Sequence, residues 1–111
     1  MTARVDIGAL RHRVTLEAAA DTTGPGGVAA RNWAVLGRAW AEIRPGSSRT
    51  IMDVARRTTE TTVAIRMRYR DGLKRAGRII RGDRIFVVLG VRDVEEARLV
   101  LEFTCREDMA R

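Results

Sequence analysis

Thr61-Thr62-Val63-Ala64-Ile65-Arg66-Met67-Arg68-Tyr69-Arg70 is the stretch that decides the fold class. Thr61, Val63, Ile65, Met67 and Tyr69 fall on one parity; Thr62, Ala64, Arg66, Arg68 and Arg70 fall on the other. Successive side chains of a strand point to opposite faces, so this period of two predicts a half-buried β-strand. The apolar face belongs to a core. The opposite face carries three arginines in a row, about 7 Å apart by strand geometry. That spacing matches no single phosphate ladder and favours the acidic side chains of a neighbouring subunit.

The same pattern spreads in both directions. Toward the C-terminus, Ile85-Phe86-Val87-Val88-Leu89-Gly90-Val91 is a near-continuous apolar run, which predicts a strand buried on both faces. A turn at Arg92-Asp93-Val94-Glu95-Glu96 leads back into a strand whose Leu99, Leu101, Phe103 and Cys105 share the core parity. Between these blocks, Arg81-Gly82-Asp83-Arg84 reads as a turn between strands, and that explains its Arg-Gly-Asp tripeptide without a receptor.

Toward the N-terminus, Val14 and Leu16 alternate with Arg13, Thr15 and Glu17, another half-buried strand. The stretch Asp21-Thr22-Thr23-Gly24-Pro25-Gly26-Gly27 is an exposed, mobile loop by composition. In the run that follows, Trp33, Val35 and Ile43 share one parity and Trp40 takes the other. Either a bulge near Gly37 resets the phase and gives two core tryptophans, or one indole faces a neighbouring subunit. Pro45-Gly46 closes this strand. Within the segment 46–60, Ile51, Val54 and Ala55 stand at i, i+3 and i+4, so a short helix capped by Ser47 or Ser48 is one expectation, and a flexible loop is the other.

The expected fold is therefore all-β: a small barrel or sandwich of five to six mainly antiparallel strands in one domain over residues 1–111. The core is thin, because aromatic residues make up 5% of the chain, and such a domain gains stability by packing on neighbours.

Net charge is +7, and arginine supplies nearly all of it, Lys74 being the only lysine. Arginine suits phosphate, but it also forms bidentate pairs with carboxylates at protein interfaces. Cys105 is the only cysteine, which removes an intramolecular disulfide and a cysteine-based zinc site; its apolar partners in the alternation mark it as a buried thiol. The first residues show no leader-like apolar run, and no stretch reaches the roughly 18 apolar residues of a membrane span. The expectation is a protein made in the cytoplasm, with no membrane partner.

Catalytic constellations are missing from the sequence. His12, the single histidine, lies between Arg11 and Arg13, with no nucleophile pattern beside it. Asp53, Glu60, Asp83, Asp93, Glu95 and Glu96 have no spacing that specifies a metal or an acid–base pair. Gly24-Pro25-Gly26-Gly27 lacks the Lys-Ser/Thr that a phosphate loop needs. A binding or structural role is expected, with no enzyme activity, no cofactor and no small-molecule substrate.

Several pieces in order resemble one family: Gly8-Ala9-Leu10-Arg11-His12-Arg13-Val14-Thr15-Leu16, a Gly-rich loop, Trp33 followed by Trp40-Ala41-Glu42-Ile43-Arg44-Pro45, Ile65-Arg66-Met67-Arg68-Tyr69-Arg70, Gly82-Asp83-Arg84-Ile85-Phe86, and Leu99-Val100-Leu101-Glu102-Phe103-Thr104-Cys105-Arg106-Glu107. Together they resemble the phage head-tail joining proteins, the head-closure or stopper components of tailed phages and phage-like gene-transfer particles. Two departures are local. Pro25-Gly26 stands where the family often has an aromatic, and Asp83 intervenes in a Gly-Arg pair.

The resemblance implies a barrel-like subunit that assembles as a homo-oligomeric ring in the virion, below the portal and adaptor rings and above the tail terminator and other tail proteins. Such a ring closes the capsid exit, retains the packaged DNA and offers the tail a docking surface. It also implies that the 46–60 excursion is the channel loop, with Ser47, Ser48, Arg49, Arg56 and Arg57 near DNA. Arg66, Arg68, Arg70 and Trp40 are the candidate subunit interface. The readings that compete are a basic nucleic-acid-binding β module and another connector ring, the tail terminator or the adaptor.

Overall fold

The computed structural model describes residues 7–23, 29–52 and 57–108. Six strands carry the fold: β1 (His12–Thr23), β2 (Ala29–Met52), β3 (Arg57–Arg68), β4 (Arg78–Arg81), β5 (Arg84–Asp93) and β6 (Val100–Asp108). All pairings are antiparallel, and the order β1-β2-β3-β6-β5-β4 closes into a barrel, with β4 pairing back onto β1 at residues 15–17. Closure leaves the wall without a free edge, which removes the usual template for unwanted strand pairing. Among the described residues there is no α-helix, so the all-β expectation holds.

The interior is filled by the alternating positions of each strand. Val14, Leu16, Ala41, Ile65, Met67, Ile79, Phe86, Leu101, Phe103 and Cys105 are fully buried, and among the described residues no polar or charged one is buried with them. Leu73, in the short turn Leu73–Arg75 that joins β3 to β4, is also buried and packs into the same cluster. Of the β3 face predicted as core, Val63, Ile65 and Met67 are buried, Tyr69 is half-buried and Thr61 is exposed. Burial pushes the Cys105 thiol up to about 12, so this cysteine is an inert apolar side chain.

Two segments depart from the expected burial. In β5 only Phe86 is fully buried, while Leu89 and Val91 are exposed, because a register shift between Val88 and Gly90 turns Leu89 out of the wall. Leu101, Phe103 and Cys105 are buried as the alternation predicts, but Leu99 is 51% exposed and Val100 is buried. This departure is confined to the entry of β6, just after Glu95, Glu96 and Arg98, which all adopt positive φ. The Gly82-Asp83 turn matches its sequence reading. Gly82, with φ +59, takes the first central position of a two-residue hairpin loop between Arg81 and Arg84.

The barrel wall continues into two hairpin arms. β4 covers β1 only at residues 15–17, so 18–23 pair with 29–34 alone. Likewise β6 covers β3 at 62–68, which leaves 48–52 paired with 57–61 alone. The segment read as a short helix or loop is thus a two-stranded arm in all its described residues. A helix of about ten residues is marginal by itself, whereas pairing Ser48 with Thr61 through Met52 with Arg57 satisfies the backbone in a sequence rich in β-branched residues.

β2 runs through both arms. Its 24 residues would span roughly 79 Å if straight, yet the longest dimension of the molecule is 51 Å. The strand must bend. One bend is a bulge at Leu36, where Leu16 pairs with Gly37 and Glu17 with Val35. The other lies between Pro45 and Ser48, where the strand continues past the Pro45-Gly46 pair expected to end it. A Cβ at Gly46 would sit 2.6 Å from both the carbonyl oxygen and the hydroxyl of Thr62, so this bend needs glycine. The arms also account for a radius of gyration of 15.9 Å, against ~13 Å for a compact chain of this length.

Candidate functional site

The bulge at Leu36 decides where both tryptophans point. Before it, Val35 opposes Glu17 and Trp33 opposes Ala19; after it, Trp40 opposes Arg13. The phase reset therefore brings both indoles to the outer face, and neither is a core side chain. Trp33 is half-buried on the outer wall, with the Arg78 guanidinium 4.2 Å from its ring centre. Trp40 is 52% exposed, with Arg13 5.4 Å from its ring centre.

Trp40 forms one wall of a surface groove of about 560 Å³ lined by Leu10, Arg13, Arg38, Ala39, Trp40, Arg68 and Arg70. The elements that build it are three neighbours in the barrel. β1 supplies Arg13, β2 supplies Arg38 and Trp40, and the end of β3 supplies Arg68 and the following Arg70. Arg70 Nη1 donates to the Arg38 carbonyl oxygen at 2.9 Å, which fixes the chain leaving β3 against β2. Among the described residues, none of the four groove arginines has a carboxylate partner.

Arg44, Arg66, Arg78, Arg84 and Arg92 are paired with carboxylates. Arg66 Nε donates to Glu102 Oε2 at 2.6 Å, and Arg92 Nε to Glu102 Oε1 at 2.9 Å. Arg78 reaches Glu17 at 2.5 Å, Arg84 grips Glu107 with two bonds of 2.9 and 3.0 Å, and Arg44 pairs with Glu42. Burial pushes the Glu102 carboxyl up, but the bonds from Arg66 and Arg92 outweigh it and hold the group below its ordinary range. The bond from Arg84 does the same for Glu107.

Of the candidate interface residues, Arg68, Arg70 and Trp40 come together in the groove. Arg66 lies apart, bound to Glu102. Arg13, Arg38 and Leu10 were missed in the sequence reading. Arg38 shares the face of Trp40 by alternation two residues along β2, whereas Arg13 reaches it only through the β1–β2 register, which alternation does not supply. Of the candidate channel residues, Arg49 lies opposite Glu60, Ser48 opposite Thr61 and Arg57 opposite Met52 in the β2–β3 arm. Ser47 sits in the register shift at the arm's base, and Arg56 lies outside the described residues.

A smaller cleft of about 330 Å³ at the base of that arm is lined by His12, Arg44, Pro45, Thr62 and Arg84 among others. Burial, then the charges of Arg81, Arg84 and Arg11, lower the His12 pKa, so the imidazole is neutral at pH 7. Thr61 and Thr62 carry the hydroxyl groups of this cleft, and no cysteine, serine or carboxylate is among the residues that line it. No cluster of three or more potential metal ligands occurs among the described residues.

Comparison with known proteins agrees with this architecture. A family model described as phage head completion protein matches residues 5–108. The chain belongs to the phage head completion protein family. It is thus a structural protein of a phage or phage-like particle. A chain of a solved structure titled as the virion of a native gene transfer agent particle shares the fold, with a TM-score of 0.67 and 24% identity. The match covers 90% of this chain and 96% of that one. The solution structure of protein SF1141 from Shigella flexneri 2a aligns with a TM-score of 0.64 and 25% identity, covering 93% and 96%. No curated protein matches the chain.

Proposed function

We propose that this head completion protein assembles as a ring at the head exit, below the portal and adaptor rings. There it closes the capsid, retains the DNA and presents the surface on which tail proteins dock. The observation that carries this reading is family membership over residues 5–108 in a chain whose closed barrel throws out two hairpin arms. A closed barrel is a rigid unit with no free edge, and rings arise from contacts between unlike faces that close by rotation. The β2–β3 arm, bearing Ser47, Ser48, Arg49 and Arg57, points into the channel on this reading and meets DNA. The outer face with Arg66, Arg68, Arg70 and Trp40 meets a neighbouring subunit or ring. Neither role requires chemistry, a cofactor or a membrane, and the protein joins the particle after synthesis in the host cytoplasm. The β barrel supports a closure role over that of an adaptor, which we expect to be largely helical.

Shortening the arm tests the reading. Replacing residues 47–61 with an Asn-Gly turn keeps the barrel pairings and removes the arm. Assembled heads should then leak DNA while the purified barrel still unfolds cooperatively. Heads that stay filled would remove the arm from the seal.

A further inference from the structure

The four groove arginines have no carboxylate partner among the described residues, and no carboxylate lines the groove. Two of them are held in place: Arg13 stacks over Trp40, and Arg70 is tied to the Arg38 carbonyl. Like charges gathered at one groove repel one another, so an arrangement of this kind is stabilised when an anion enters.

The groove is more than a charged patch. Leu10, Ala39 and the half-exposed indole of Trp40 give it an apolar floor beside the cationic rim. Its volume lies in the range of sites that enclose a few side chains and is far too small for a duplex. Single-stranded nucleic acid binds along successive aromatic platforms. Here Trp40 is the exposed aromatic among the described residues, since Trp33 is covered by Arg78, the half-buried Tyr69 by Lys74, and Phe86 and Phe103 are buried. Tryptophan and arginine around a desolvated pocket are what protein anchors select.

We infer that the groove of Leu10, Arg13, Arg38, Trp40, Arg68 and Arg70 is a docking site for an acidic peptide segment, in which carboxylates flank an aromatic or aliphatic anchor. The anchor side chain lies on Trp40, Leu10 and Ala39, and the carboxylates take the guanidinium forks. That the segment belongs to a neighbouring protein of the particle rests on the head-closure reading; the chemistry of the groove does not.

The test is a titration of fluorescein-labelled Asp-Glu-Phe-Asp-Glu with the full chain, read by anisotropy. The same peptide with Gly for Phe and a labelled single-stranded oligothymidylate run beside it. The Phe peptide should saturate, and the Arg38→Ala/Arg68→Ala double variant should weaken it about tenfold or more. Trp40→Ala should abolish the preference for Phe over Gly. Arg106→Ala, an exposed arginine elsewhere, should leave the affinity within about twofold. Equal binding of the two peptides, equal loss in Arg106→Ala, or tighter binding of oligothymidylate through the same two arginines would overturn the site. A failed titration beside particles that still need the gene for closure would sink the docking site alone. A successful titration beside normal gene-deleted particles would sink only the closure reading.

Discussion

On the wall made by β6, β5 and the adjoining edge of β3, Glu102 takes both Arg66 and Arg92, and Glu107 takes Arg84. In the groove between β1, β2 and the end of β3, Arg13, Arg38, Arg68 and Arg70 gather around Trp40, and no carboxylate is among the residues that line it. The residue type is the same on both walls and the role is not. Paired arginines stitch strands together, and their charge is spent within the subunit. The groove arginines keep theirs. The excess charge of the chain is thus not a uniform coat, and a net value of +7 says little until each arginine is assigned a partner.

The largest perturbation removes what both walls rest on. Phe103→Ala empties a fully buried position of the shared core and should cost about 3–5 kcal/mol, lowering the denaturant midpoint and destroying both faces at once. A loss under about 1 kcal/mol would mean that the barrel interior is not close-packed. Next comes the stitched wall. Glu102→Gln leaves two guanidinium groups without their shared carboxylate and should cost about 1–2 kcal/mol with the fold intact. The groove is expected to be the quietest. Arg38→Ala and Arg68→Ala should each change stability by less than about 0.5 kcal/mol. A groove variant as destabilising as Glu102→Gln would erase the distinction between the walls.

Acidity sharpens the same contrast. Glu102 and Glu107 have folded values below the ordinary 4.5, so the stability they add is present above that pH and is lost as pH falls through their folded values. His12 acts earlier. Its folded value lies below 6.5, the unfolded chain binds the proton first, and stability declines as pH falls below 6.5. Acid titration of unfolding should therefore show a shallow loss from His12 and a steeper one below pH 4.5. Glu102→Gln should flatten the steeper part and leave the shallow one.

Much of the barrel was legible because a half-buried strand must alternate. Val63, Ile65 and Met67 could only be a core face, and Gly82-Asp83 could only be a turn. What escaped the sequence comes from places where alternation slips. The bulge at Leu36 was anticipated near Gly37, yet its consequence, both indoles turned outward, depends on which neighbour sets the register. Just after the left-handed residues Glu95, Glu96 and Arg98, Leu99 is exposed and Val100 buried, while Leu101, Phe103 and Cys105 keep the expected parity. In the 46–60 segment, the positions of Ile51, Val54 and Ala55 suggested a helix. Beyond the reach of β6, the β2–β3 pairing is one of backbone hydrogen bonds, which many side-chain orders allow, so the sequence there can mimic another period. The groove was half legible. Arg68, Arg70 and Trp40 stand out in the sequence, and Arg38 follows Trp40 by alternation, but Arg13 joins them only through the cross-strand pairing.

The central claim is closure of the head exit, and electron microscopy of particles from producer cells lacking this gene tests it most directly. Closure predicts tailless heads that have lost their DNA, beside separate finished tails. Normal tailed, DNA-filled particles would contradict it.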